Sequence, residues 1–331
     1  MSAHDLVPDA PLRVAVVGTG VMGRYHATNY ATLPKVRIAA VVEVDEGRRH
    51  EAQQAYGCAG YATLAELLAH EEIDAASVAV PTSLHYRVTR TLLEAGVHVL
   101  VEKPVATDVA QAHALARLSA EQGLVLQVGH ITRFYSAVQM LAREVRQPYL
   151  IEARRLSPSQ RVKDVGVVLD LMIHDIDIVF GLMGNGNGVV EVVASGLPLN
   201  GSPLEDVAVA QIKFENGCLA RFLASRVSPD PERTMLIAER DKTVRVDFAK
   251  EPYSEVQFFR TPGSAAHSGH VKLDRHLVHD ENPLRKELEH FLARIRGTTD
   301  PIGTLDDDMR SLELATRILA AMREGKSVPV H

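Results

Sequence analysis

The chain has no tryptophan, two cysteines and few aromatic residues, 5% of its 331 positions. So few rings argue against a stacking platform for single-stranded nucleic acid. Cys58 and Cys218 stand far apart and form neither a CxxC nor a zinc-type pattern. They read as two buried thiols in a reducing compartment. Excess positive charge is also missing: 36 Lys and Arg against 42 Asp and Glu leave a formal charge of -6. No global basic field is available for nucleic acid or an anionic membrane. No run of about 18 apolar residues suggests a membrane span. The opening MSAHDLVPDAPLR lacks the basic and then apolar stretches of a secretory signal. These absences lead us to expect a cytoplasmic protein with no nucleic-acid or membrane partner.

What is present is an ordinary globular balance, 46% hydrophobic and 24% charged, on a length suited to two domains. Over the first 130 residues, buried-strand runs alternate with helical stretches. "LRVAVVGTG", "VRIAAVVE", "EIDAASVAVP", "VHVLVEKP" and "LVLQVGH" read as strands, "TLAELLAH" and "VAQAHALARLSAEQ" as helices. Such alternation indicates a parallel sheet covered on both faces. Thr63 with Glu66, and Asp108, are expected helix N-caps, and Gly123 a helix end. After residue 150 the strands crowd together: "YLIEARRL", "VVEVVASGLPL", "DVAVAQIKFENGCLARFLASRV", "RTMLIAERDKTVRVDF" and "SEVQFF". "ENG" and "RDK" are tight-turn candidates, and no long crossovers intervene. The expectation is an α/β domain over 1–130 and an α+β domain over 131–331, the latter built on a mostly antiparallel open sheet. Two helices are expected near 283–296 and 306–323. "GNGNG" at 184–188 follows a helical run, so it reads as a turn and not as a phosphate loop.

"VVGTGVMG" places Gly18, Gly20 and Gly23 in GxGxxG spacing, after a strand and before a helix. Gly18 makes the tight turn, Gly20 admits a pyrophosphate close to the backbone, and Gly23 lets helix and strand pack. Thr19, Val21 and Met22 complete this loop, and the helix N-terminus offers N–H groups to phosphate. Glu43 ends the second strand, where a carboxylate accepts both hydroxyls of an adenosine ribose and repels a 2'-phosphate. NAD is therefore the expected cofactor; Arg48 and Arg49 leave NADP open. Further strand ends carry Pro81, Thr82 and His85, and then Glu102, Lys103 and Pro104, at the edge where ligands bind such sheets. Thr82 and His85 are candidates to line the nicotinamide region, with His85 equally readable as a core histidine. Lys103 reads as either a surface lysine or a placed ammonium.

"DLMIHDID" sets Asp170, His174, Asp175 and Asp177 inside an apolar run. If 167–180 is a plain helix, Asp170 and His174 share one face at i and i+4, with Asp177 near the same stripe and Asp175 pointing elsewhere. Three readings stand on these residues alone: metal ligands, a satisfied buried polar cluster, or an acid–base pair. A metal needs about three convergent ligands, which this helix alone supplies only if bent. An acid–base pair uses the intrinsic pKa of His174, with Asp170 to orient it. No metal is expected.

Together the glycine loop, "EKP" at 102–104, "GHITRF" at 129–134, "DLMIHDID" at 170–177 and "ENPLRKELEHFLARIRG" resemble the glucose–fructose oxidoreductase and inositol dehydrogenase (Gfo/Idh/MocA) family over nearly the whole chain. The resemblance implies an N-terminal Rossmann domain, a second α/β domain whose open sheet often mediates oligomers, and a homodimer or homotetramer. It implies that Lys103, Asp170 and His174 line the reacting carbon. Within the family, "GHITRFYSAV" and the stretch from "IEARRL" to "DLMIHDID" are similar to the branch that oxidises the 3-hydroxyl of UDP-N-acetylhexosamines. That branch feeds 3-amino sugars into lipid A and other surface glycans. The branch pattern "GHIERFNPAV" differs at Thr132, Tyr135 and Ser136.

A sugar diphosphate also suits the local positive charge of Arg133, Arg154, Arg155, Arg161 and Lys163, although each can equally be a solvated, salt-paired arginine or lysine. His130, Arg133, Arg155, Arg161, Lys103, Asp170 and His174 are thus the expected substrate-binding residues. The implied chemistry is hydride transfer from a sugar carbon, with His174 as base, Lys103 on the developing alkoxide and Asp170 orienting. The same enzyme class acting on a cyclitol, free aldose or 4-keto deoxysugar, a redox-neutral enzyme with retained nucleotide, and a non-catalytic nucleotide sensor are the rival readings.

Overall fold

The computed structural model describes residues 10–158, 164–184, 186–250, 252–260 and 271–324. Arg161 and Lys163 lie outside the described residues. The chain divides into two compact units, one running up to Ile131 and adding Asn282–Met309, the other formed by Thr132–Glu281 and the residues from Arg310 on. Residues 282–309, which sequence places with the second domain, thus belong to the first.

The first unit runs β1 (Leu12–Val17), α1 (Val21–Tyr30), β2 (Val36–Val42), α2 (Glu46–Tyr56), β3 (Ala59–Tyr61), α3 (Leu64–His70), β4 (Ala75–Val78), α4 (His85–Glu94), β5 (His98–Glu102), α5 (Val109–Gln122) and β6 (Leu126–Gly129). The strands form one parallel sheet in the order β3-β2-β1-β4-β5-β6. Its inner strands are apolar and buried on both faces, as helices on both sides require. Strand order reverses between β1 and β4, and ligands bind such sheets at the carboxyl ends beside that reversal. The helix ends follow local chemistry. Thr63 and Glu66 form a reciprocal capping box on α3, Asp108 accepts from Gln111 N–H on α5, and Gly123 closes α5 at φ 66°.

The second unit contributes α6 (Ser136–Glu144), β7 (Leu150–Leu156), α7 (Ile173–Met183), β8 (Val189–Leu197), β9 (Val207–Phe214), β10 (Leu219–Ser225), β11 (Glu232–Ala238), β12 (Lys242–Asp247), β13 (Tyr253–Arg260) and β14 (Lys272–His279). They make an eight-stranded sheet in the order β14-β13-β12-β11-β7-β10-β9-β8, antiparallel except for the β7–β10 pair. β9 shows why the sheet is open on one side: Ala208, Ala210, Ile212 and Phe214 are buried while the residues between them face outward. α7 covers the buried face, with Phe180 edge-on to Phe214 at 6.0 Å. The "ENG" turn joins β9 to β10, with Gly217 at φ 85°.

α8 (Pro283–Ile295) and α9 (Leu305–Glu324) follow. Asn282 caps α8 by accepting from Arg285 N–H, and Pro283 opens its first turn. Leu284, Leu288, Phe291, Leu292 and Ile295 of α8 join Leu12, Val14, Val16, Ala27 and Tyr30 in one apolar core. Three features escape the sequence patterns: the three-residue β3, the mostly exposed edge strand β14, and a π-helical turn at Val168–Met172 where a plain helix is expected. Among the described residues no helix is long and apolar enough to cross a membrane.

Candidate active site

In the first unit the glycine loop has the backbone that its spacing demands. Gly18 sits at φ 89°, and a Cβ there would lie 2.7 Å from the Ala79 carbonyl oxygen. A Cβ on Gly23 would lie 1.8 Å from the Gly18 carbonyl oxygen. Around the Cβ position of Gly20 nothing lies within 4 Å, so open space covers this turn. No side chain caps the N-terminus of α1 at Gly20, and its first turn holds no acidic residue. Exposed Val21 and half-buried Met22 begin that helix. An open glycine turn leading into an uncapped helix N-terminus suits a diphosphate.

Glu43 stands at the end of β2 in a network of donors. It accepts from Thr19 N–H (2.9 Å), Thr19 Oγ1 (3.0 Å), Asp45 N–H (3.1 Å) and Arg48 Nη2 (2.8 Å). Burial pushes this carboxyl up, but the bonds from Arg48, Asp45 and Thr19 outweigh it and bring the pKa down to about 2. Arg49 donates instead to the Glu43 carbonyl oxygen (2.8 Å). These bonds keep the carboxylate charged and fixed at the end of β2.

At the next strand ends, Pro81 is exposed, and Thr82 is buried at the start of a short 3-10 turn, Thr82–Leu84. His85 is buried, with its two ring nitrogens on the carbonyl oxygens of Pro104 (2.7 Å) and Val80 (3.0 Å). Half-buried Lys103 follows β5, and its bond to Pro104 is cis. Glu102 accepts from His26 Nε2 of α1 at 2.9 Å. Burial raises the Glu102 pKa, yet the His26 bond and the charges of Lys103 and His85 hold it below the usual range. His130 is buried, with Nε2 3.7 Å from Asp308 Oδ1.

The second unit builds its site on the helix that starts with the π turn. From Val165 to Phe180 every residue is buried except Asp170, Leu171 and His174. The two candidate acid–base residues are therefore the ionisable groups this segment leaves accessible. The start of the helix is fixed by Glu205 and Arg226. Glu205 accepts from Val168 N–H at 3.0 Å, and a Cβ on Gly166 would lie 2.0 Å from that carboxylate. Arg226 donates to the carbonyl oxygens of Val165 (2.8 Å) and Glu205 (3.0 Å) and pairs with Asp206 at 3.2 Å. Neither Glu205 nor Arg226 is marked in the sequence, since their partners lie tens of residues away.

The remaining charges of "DLMIHDID" hold arginines. Arg155 of β7 is buried and donates three times to Asp175, at 3.2, 3.1 and 2.6 Å. Burial lowers the Arg155 pKa, but the nearby charge and hydrogen bonds of Asp175, then the charges of Tyr135 and Asp170, raise it on balance. Arg133 grips Asp177 with two bonds, 2.9 and 2.5 Å, and Ser311 Oγ adds a third at 3.4 Å. Two arginines expected to meet a diphosphate thus have carboxylate partners within the fold. The pairing also accounts for Asp175, which sequence leaves without a role. Arg154 is exposed and pairs with Glu232 at 2.8 Å.

Comparison with known proteins agrees with these two constructions. Residues 12–130 match the model of an oxidoreductase family with an NAD-binding Rossmann fold, and 152–330 match the C-terminal alpha/beta domain of the same family. A UDP-N-acetylglucosamine 3-dehydrogenase of Acidithiobacillus ferrooxidans is 38% identical over 239 residues, 72% of this chain and 74% of that protein. The solved structure of the enzyme of that name from the same organism aligns with TM-score 0.83 at 32% identity, covering 95% of this chain and 98% of the other. A scyllo-inositol 2-dehydrogenase (NAD(+)) of Bacillus subtilis is 29% identical over 346 residues, 96% of each chain. With a dinucleotide loop in one unit, an accessible Asp–His pair in the other, and both family models matched in order, the chain belongs to the Gfo/Idh/MocA family of NAD(P)-binding oxidoreductases.

Proposed function

We propose that the protein oxidises the 3-hydroxyl of a UDP-N-acetylhexosamine to the 3-keto sugar nucleotide, using NAD. The observation that carries the chemistry is the accessibility of Asp170 and His174 in an otherwise buried segment. The ionised Glu43 carboxylate supports NAD over NADP, because a 2'-phosphate would meet a fixed negative charge. The likeness to a UDP-N-acetylglucosamine 3-dehydrogenase supports the substrate. A nicotinamide dinucleotide, when bound, supplies the acceptor for the hydride that leaves the sugar carbon. His174 takes the hydroxyl proton, Lys103 offers its ammonium to the oxygen as negative charge develops, and Asp170 orients His174.

A second reading, oxidation of a cyclitol, is favoured by two observations. Arg133 and Arg155 are each engaged by an internal aspartate. The match to the inositol enzyme also spans 96% of both chains. The deciding experiment incubates the protein with NAD or NADP and a panel of UDP-sugars, inositols and free aldoses. Absorbance follows the reduced nicotinamide, and NMR locates the ketone carbon. Turnover of UDP-N-acetylglucosamine with loss of activity when UDP is removed supports the proposal; turnover of inositol alone replaces it with the second reading.

The assembly expected is a homodimer or homotetramer, supported by Val193, Leu197, Val209 and Leu219 exposed on the open sheet face. Light scattering measures it.

A further inference from the structure

His85 opens α4 and is 1% exposed. Its Nδ1 faces the Pro104 carbonyl oxygen at 2.7 Å and its Nε2 faces the Val80 carbonyl oxygen at 3.0 Å. A carbonyl oxygen only accepts, and a neutral imidazole carries a single N–H. In the neutral ring one of these contacts would set a nitrogen lone pair against an oxygen lone pair. An imidazolium satisfies both.

The two carbonyls belong to the two turns that matter most in this unit. Val80 directly precedes Pro81 and Thr82, and Pro104 directly follows Lys103. We propose that His85 is a positioning residue which, as an imidazolium at neutral pH, ties the turn after β4 to the Lys103–Pro104 turn and so fixes the base of Lys103. The role given to Lys103 rests on the function proposed above; the charge on the ring does not.

Burial, the N-terminal end of α4 and the neighbouring Lys103 ammonium all oppose a cation here. Two carbonyl dipoles and the Glu102 carboxylate offset them. Glu102, at the end of β5, interacts electrostatically with His85, with Lys103 beside it and with His26 from α1. His26 bonds Glu102 through Nε2 and so holds that carboxylate in place. A glutamine or asparagine amide donates from a single nitrogen, and lysine lacks a planar ring that presents donors on two sides.

The test uses the full chain with isotope-labelled histidine and a long-range nitrogen–proton NMR correlation. The His85 ring is identified by its loss in His85→Asn, or by its contacts to Val80 and Pro104 protons if that variant does not fold. The expected result is two protonated ring nitrogens at neutral pH. An unprotonated ring nitrogen there overturns the proposal.

The positioning role is read separately. His85→Gln is expected to lower kcat about 10- to 100-fold through a misplaced lysine. NADH affinity, measured by fluorescence, is expected to fall less than kcat, because the glycine loop and Glu43 are untouched while the turn after β4 loses its tie. An unchanged kcat overturns the positioning role even if the ring is charged. If the parent protein turns over nothing in the sugar and cyclitol panel, the functional reading fails, while the NMR result still decides the charge.

Discussion

His174→Ala removes the proposed base and leaves the nucleotide unit intact. We expect kcat to fall about 10²- to 10⁴-fold, with NADH affinity unchanged; steady-state kinetics and fluorescence titration separate the two. A fall of only a few-fold would hand the proton to Lys103. Glu43 makes a prediction about acid. Its folded pKa, about 2, lies below its ordinary 4.5. A depressed carboxyl stabilises the fold fully above the ordinary value, and that contribution is lost as pH falls from 4.5 toward 2. Glu43→Gln is therefore expected to lower the melting temperature at neutral pH and to flatten its dependence on acid in that window. Residues such as Gly18 and Gly23 are legible in sequence because backbone geometry and a fixed spacing demand them, whereas Lys103 stands out only through the family resemblance. Glu205, Arg226 and His26 are not legible, because their partners are brought in by the fold from elsewhere in the chain.

At the scale of elements, the strands and most caps are readable because burial imposes a period and caps are local. The π turn is not, since Val168–Met172 has the same apolar content as an ordinary helix. What makes it visible is the bonding at its start, from Glu205 and Arg226. β14 is hidden for the opposite reason: six of its eight residues are exposed, so no buried alternation marks it. The tie between β7 and α7 is a buried ion pair, Arg155 with Asp175. Removing one partner of such a pair leaves an uncompensated charge, which costs about 3–5 kcal/mol. Asp175→Asn is expected to lose stability of that order in urea unfolding. Replacing both partners, Arg155→Met with Asp175→Leu, should recover much of it; equal losses in the two variants would show that the pair is not what holds β7 to α7.

For the whole molecule, the decisive fact is that α8 belongs to the first unit. Leu284, Leu288, Phe291, Leu292 and Ile295 lie in its apolar core. Burying a large apolar side chain is worth about 1.5–3 kcal/mol, so these five together rival the stability of a typical domain. A fragment ending near residue 131 is expected to be poorly folded, by calorimetry and NADH binding. The same fragment with 282–309 rejoined through a flexible linker should recover both. A domain boundary drawn from sequence alone misses this, because the second sheet interrupts the first unit with some 150 residues of different pattern.

That interruption has a consequence in time. On the ribosome the first unit emerges nearly complete, yet the helix that seals its core appears only after the whole second sheet has been made. At about 5–20 residues per second, the nucleotide-binding half waits on the order of ten seconds or more with an apolar flank uncovered. During that wait it is a client for whatever shields nascent chains.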